Sequence, residues 1–215
     1  MAFDVTLVGR GCEALPYAVL AVRHLGVEGF GPTRQQFRLR RIATRELAPR
    51  VIFDSSSPVV HNVAPTPAPA ATRRDRSPGK RTYRFVTPTI LKSGGRVESV
   101  PTYATLVKRT RDRVNALSTF FGAGPLDWPF KEIGEKAEHV TTATAAGGRV
   151  RHGRFSSRQR QVHDLSGFVG EVTYAGPEEA LREFDPLLLL LDEIHVGKGA
   201  ALGNGWVQEI APASP

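Results

Sequence analysis

PLLLLLDEIHVGKGAALGNGWV, residues 186–207, is the stretch on which the fold reading turns. Its five consecutive leucines, 187–191, predict a buried helix, because an apolar run this short cannot span a bilayer. The helix is expected to end near His195, since Gly197 and Gly199 follow and glycine accepts the positive φ of a helix C-cap. Gly197, Gly199, Gly203 and Gly205 then form a loop that carries one lysine, Lys198, and a strand follows over residues 206–210. Helix, glycine loop, strand is the wrong order for a phosphate cradle. Walker loops and dinucleotide fingerprints lie between a strand and a helix N-terminus, and here Lys198 is followed by Gly199 rather than a hydroxyl. What remains is a bare backbone able to lie close to a nucleic-acid strand, with an ordinary helix-to-strand turn as the plain alternative.

Upstream, residues 177–184 begin the helix that runs into the leucines, and 168–174 read as a strand. Residues 139–145 and 148–162 also read as strands, with Gly147 and Gly148 turning the chain between them. Residues 101–121 form an amphipathic helix. Leu106, Val107, Val114, Leu117 and Phe121 are its apolar positions, and Lys108, Arg109, Arg111 and Arg113 line the other side. Residues 81–87 are a strand closed by Pro88. The order is β-α-β-β-α-β with an extra hairpin, the ferredoxin-like pattern, in which two helices cover one face of an antiparallel sheet. Arg149, Arg151, Arg154, Arg158 and Arg160, with Phe155 among them, suit a hairpin that grips a phosphate backbone and stacks a base. A solvent-exposed hairpin kept in solution by its charge fits the same residues.

The N-terminal part repeats half of this pattern. Residues 3–8 alternate as a strand, and 15–25 form a helix with Pro16 in its first turn, His24 in its last and Gly26 at its end. Residues 36–42 are a second strand, extended at 51–53. Residues 54–80, rich in proline, alanine and arginine, read as a linker. The expected fold is α+β: tandem ferredoxin-like (RRM-like) domains, the first incomplete, at 1–53 and 81–215.

The 215 residues carry a formal charge of +8, mostly from arginine, which suits a nucleic-acid partner. Cys12 is the only cysteine, which excludes a disulfide framework and a cysteine zinc site and fits a reducing cytoplasm. No signal peptide or transmembrane span stands out, so no membrane partner is expected.

Four stretches together resemble the CRISPR-associated RAMP-superfamily endoribonucleases that process precursor crRNA. They are FDVTLVGRG with LPYAVLAVRHLGVEGFGPTRQQFRL; YRFVTPTILKSGG; RFSSRQRQ with GFVGEVTYAG; and FDPLLLLLDEIHVGKGAALGNGWV. The resemblance implies cleavage of CRISPR repeat RNA without metal or cofactor, by attack of a 2′-hydroxyl on the adjacent phosphate. His195 is then the expected general acid or base and Lys198 the phosphate stabiliser. Gly197, Gly199, Gly203, Gly205, Arg154, Arg158 and Arg160 are the expected contacts to a repeat hairpin or crRNA, and other CRISPR effector subunits are possible partners. The alternative for His195 is a histidine that caps helix carbonyls. The chain departs from the family in opening at what looks like the third strand of the first domain. In several members the catalytic histidine lies in or just after the helix that this start omits. A non-catalytic crRNA-binding subunit, or a generic RNA-binding ferredoxin-like protein, therefore remains an alternative.

Overall fold

Pro16, which has no backbone N–H to leave unpaired, sits in the first turn of helix α1 (Leu15–Glu28). The computed structural model describes residues 2–31, 33–46, 48–57, 59–66, 77–156 and 160–210, and the chain divides into two compact units, residues 1–67 and 68–215. In the smaller unit α1 packs with an antiparallel pair, β1 (Arg41–Ala43) and β2 (Val51–Asp54). Val19, Ile52 and Phe53 form its buried core, with Leu15, Leu39, Ile42, Val60 and Val63 against them. Gly26 lies inside the helix rather than at its end. A side chain there would fall on the Phe37 carbonyl, so the glycine permits close packing, and Gly29 supplies the stop. His24 sits a turn inside the helix and is exposed.

The strand expected at residues 3–8 does not form. Alternation marks a face that burial would favour, but a strand also needs a ladder partner. Among the described residues none pairs with this segment, and Phe3 and Val5 are 51% and 61% exposed. For the same reason 36–42 becomes a strand only from Arg41 onward, where β2 faces it. The segment read as a linker starts late: Val60 bridges to Phe53 and packs on the small core. The smaller unit thus holds one helix and one strand pair, an incomplete version of the pattern the larger unit completes.

That larger unit runs β3 (Lys80–Thr89), β4 (Lys92–Ser93), β5 (Arg96–Val97), α2 (Tyr103–Phe121), α3 (Phe130–Ala137) and β6 (Thr141–Val150). It continues with β7 (Gly153–Ser156), β8 (Gln161–Asp164), β9 (Gly167–Ala175), α4 (Glu178–Leu188), α5 (Leu191–Ile194) and β10 (Val207–Ile210). Four strands form an antiparallel sheet in the order β10-β3-β9-β6, the ferredoxin-like arrangement. Tyr83 and Phe85 of β3 and Val172 and Tyr174 of β9 meet Tyr103 and Leu106 of α2 and Leu181 and Phe184 of α4 in one core. Thr102 caps α2: its hydroxyl oxygen accepts the Thr105 N–H at 3.3 Å.

Three details differ from the sequence reading. Gly147 and Gly148 do not turn the chain, because β6 runs straight through them. Gly147 faces Gly170 across the ladder, and a Cβ on either would enter the other's strand, so the pair allows a close approach instead. The hairpin is β7–β8, which leaves the sheet between β6 and β9. The leucine run is only partly buried. Pro186 lies inside α4, the helix breaks at residues 189–190, and of the five leucines only Leu188 and Leu191 are in the core. The eight-residue α3 and the two-residue β4 and β5 are too short for periodicity to mark.

Arg81 ties β3 to α4. Its buried guanidinium donates to both oxygens of Asp185 at 3.1 Å and to Glu178 Oε1 at 3.0 Å. Edge strand β6 is exposed along all ten residues. Among the described residues no helix is long and apolar enough to cross a membrane.

Candidate nucleic-acid interface

The glycine loop is a knot of backbone hydrogen bonds. Val196 N–H donates to the Gly205 carbonyl at 2.9 Å, and Gly205 N–H to that of Pro88 at 3.2 Å. Lys198 N–H donates to the Ile90 carbonyl at 3.2 Å, and Leu202 and Asn204 N–H both reach the Gly199 carbonyl. The four glycines divide by role. Side chains at Gly197 and Gly205 would collide with the Ile90 and Val196 carbonyls, so these two serve the packing of the loop on the end of β3. Gly199 and Gly203 bound the 3-10 turn Ala200–Leu202 in left-handed conformation, and Gly203 faces open space. Of the four, Gly203 has the most open surroundings.

His195 follows α5 with φ 55° and ψ 167°, a region of backbone space used almost only by glycine. The ring lies parallel to Trp206, with centroids 6.2 Å apart and planes 9° apart. Trp206 is fixed in turn: its Nε1–H donates to Asp192 Oδ1 at 2.6 Å, and Gln208 donates to the same oxygen at 2.8 Å. Asp192, Trp206 and Gln208 thus form a hydrogen-bonded group facing the His195 ring. Sequence reading missed this support; its signal was the lone tryptophan closing a glycine loop.

Lys198 has a different anchor. Its exposed Nζ donates to the Asp164 carbonyl at 3.2 Å, where β8 ends. Asn204, buried between two glycines, donates to the Leu165 carbonyl at 3.2 Å. These two contacts fasten the loop to the base of the β7–β8 hairpin. The Asp164 carboxylate is held ionised by hydrogen bonds from Ser166 and then by Arg149 and Lys198, which lower its pKa. Arg149 pairs with it at 3.0 Å, so that arginine is partly neutralised. On the hairpin Arg154 is exposed opposite His163, and Phe155 is exposed opposite Val162. Arg160 is exposed with φ 49° at the start of β8. Arg158 lies outside the described residues. Glycine loop and hairpin base therefore share one surface, with His195 at the helix end of that loop. Among the described residues no three His, Cys, Asp or Glu side chains gather to hold a metal ion.

Comparison with known proteins adds the following. A family model described as CRISPR-associated endoribonuclease Cas6 matches residues 83–207, more than half of the chain. A second model, described as an N-terminal domain, matches residues 1–66. No curated protein matches. Among solved structures, a Cas6 product complex is 23% identical, with 91% of this chain and 72% of that one covered and a TM-score of 0.51. A Cas6 substrate mimic complex is 24% identical, covering 90% of this chain and 74% of that one, with a TM-score of 0.49. Thermus thermophilus Cas6 is 23% identical over 62% of this chain and 54% of its own, with a TM-score of 0.47. The product-complex likeness concerns the fold.

Proposed function

The chain belongs to the Cas6 family of CRISPR-associated endoribonucleases, and on that premise we propose that it cleaves precursor crRNA within the repeat by a metal-independent route. A base removes the proton of the 2′-hydroxyl, and that oxygen attacks the adjacent phosphorus. The bond from phosphorus to the 5′-oxygen breaks, and an acid protonates the leaving oxygen. The products are a 2′,3′-cyclic phosphate and a 5′-hydroxyl. His195 is the general acid or base, because imidazole exchanges protons near neutral pH. Lys198 stabilises the charged phosphorane or holds the neighbouring phosphate. Gly199, Gly203, Arg154, Arg158 and Arg160 contact the RNA, with Gly197 and Gly205 shaping the loop. Residues 81–215 act as the RNA-binding domain. The single cysteine supports a cytoplasmic setting.

One observation carries the assignment of His195: a histidine stands where the backbone calls for glycine. A second reading, a crRNA-binding subunit that does not cut, draws on the same ring's packing against Trp206, which suits a purely structural histidine. The two separate in a cleavage assay on a labelled repeat hairpin in EDTA, with wild type beside His195→Ala. The expected result is cutting that leaves a cyclic-phosphate end and slows about 100-fold or more in the variant, with binding retained. Cutting that survives the substitution removes His195 from the mechanism and moves attention to His24. Binding without cutting by either protein supports the second reading.

A further inference from the structure

The basic residues of α2 divide into two sets that the sequence had placed on one face. Lys108 pairs with Glu138 at 2.8 Å. Arg111 donates to the Phe130 carbonyl at 2.6 Å and lies over the Phe130 ring. Both are committed to the α3 side. Arg109 and Arg113, one helical turn apart, turn elsewhere. Arg109 donates twice to the Lys92 carbonyl in β4, at 3.1 and 2.7 Å. Arg113 donates to the Ile194 carbonyl at 3.3 Å, immediately before His195. Beside them the β4–β5 hairpin exposes Lys92 and Arg96. It follows directly from Ile90, the residue whose carbonyl holds Lys198 N–H. Hydrogen bonds and chain continuity thus link the glycine loop to Lys92, Arg109 and Arg113.

Asp112 is shared between Arg109 and Arg111, and Glu98 is engaged by Thr102 and Thr105 at the start of α2. Arg113 is half-buried, its hold on the proton is weakened by burial, and among the described residues no carboxylate pairs with it. A partly desolvated guanidinium without a carboxylate favours an anionic ligand.

We propose that Lys92, Arg96 and Arg113 form a second phosphate-binding surface, which continues the RNA path from the glycine loop across the β4–β5 hairpin to the C-terminal half of α2. The inference rests on the proposed RNA function and extends its footprint to residues outside the glycine loop and the β7–β8 hairpin. Its ligand is the sugar–phosphate backbone of the strand next to the cleaved bond, since none of the three side chains is placed for paired base recognition with a carboxylate or amide partner. Lys92 and Arg96 add long-range attraction, and Arg113 a fixed, planar donor set beside His195.

The test is repeat-RNA binding measured across a salt series, with wild type, Lys92→Ala/Arg96→Ala, Arg113→Met, and Arg154→Ala/Arg160→Ala. Each lost phosphate contact lowers the slope of log affinity against log salt by about 0.7 for single-stranded RNA. The Lys92/Arg96 variant is expected to lose about 1.4 in slope and about tenfold in affinity near physiological salt. Its two positions are exposed, so its melting temperature serves as the control for folding. Arg113→Met is expected to lose about 0.7, with a larger fall in cleavage than in binding. If wild type binds the repeat and the Arg154/Arg160 variant weakens it, while the other two change neither slope nor affinity, the second surface is wrong and the functional reading stands. If wild type shows no preference for repeat RNA, the functional reading fails and takes this surface with it.

Discussion

At the scale of single residues, His195 holds a backbone conformation that suits glycine. Its φ of 55° with ψ of 167° costs of order 1–3 kcal/mol for a residue with a Cβ. Alanine at this position keeps that cost, whereas glycine removes it. His195→Gly is therefore expected to raise unfolding stability by about 1 kcal/mol while cleavage falls as far as in His195→Ala. Parallel denaturant titrations and cleavage assays on the two variants check this, and a His195→Gly protein no more stable than His195→Ala would mean that the backbone is not strained there. The sequence showed that a histidine and a lysine flank the glycines. It did not show that Gly197 and Gly205 serve packing, because the carbonyls they avoid, at Ile90 and Val196, are brought there only by the folded sheet. Nor did it show that Trp206 is tied to Asp192 beside the imidazole, since their pairing spans the whole loop.

Among elements, the join between β3 and α4 depends on one buried arginine. Burial alone would weaken the Arg81 charge, but its hydrogen bonds to Asp185 and then to Glu178 outweigh it and raise its pKa. On the other side, the hydrogen bond from Arg81 is the chief reason that the Glu178 carboxyl is pulled down to about 2 from its usual 4.5. A lowered carboxylate pKa stabilises the fold above the unfolded value, and this is lost as pH falls. The contribution of Glu178 is complete at neutral pH and is expected to drain away between about pH 4.5 and pH 2. Glu178→Gln should flatten that acid loss, and Asp185→Asn, which leaves the arginine buried with half its partners, should cost about 3–5 kcal/mol at neutral pH. Urea unfolding at a set of pH values reads both; equal acid sensitivity in wild type and Glu178→Gln would remove Glu178 as the source. Elements were legible where periodicity was long, as in α1, α2 and β9. They were lost where pairing decides: residues 3–8 have the alternation of a strand and no strand partner among the described residues, and Gly147–Gly148 have the composition of a turn inside a straight strand.

Over the whole molecule, the two units differ in how much core each owns. The larger one holds aromatic residues from two helices and two strands, while among the described residues of the smaller the buried hydrophobic side chains are Val19, Ile52 and Phe53. A fragment of residues 77–215 is expected to fold cooperatively, and residues 2–66 alone are not, because so few buried side chains cannot offset the entropy of ordering that length. Amide NMR spectra of the two fragments decide: dispersed peaks from the short fragment, or none from the long one, would overturn the assignment of stability. The positive charge that the composition announced belongs to the whole molecule too, but its placement on α2, β4–β5 and β7–β8 needed the fold.

Strand β6 carries a consequence for how this chain meets others. From Thr141 to Val150 one side of its backbone is bonded to β9 and the other is open. A register irregularity between Thr142 and Thr144 and the charge of Arg149 guard its two ends. Between them Ala145, Ala146, Gly147 and Gly148 offer donors and acceptors with almost no side chain in the way. A fifth strand, from any chain with a free extended segment, would find its hydrogen-bonding partners already in register there, and unwanted association in concentrated solution would begin at the same place.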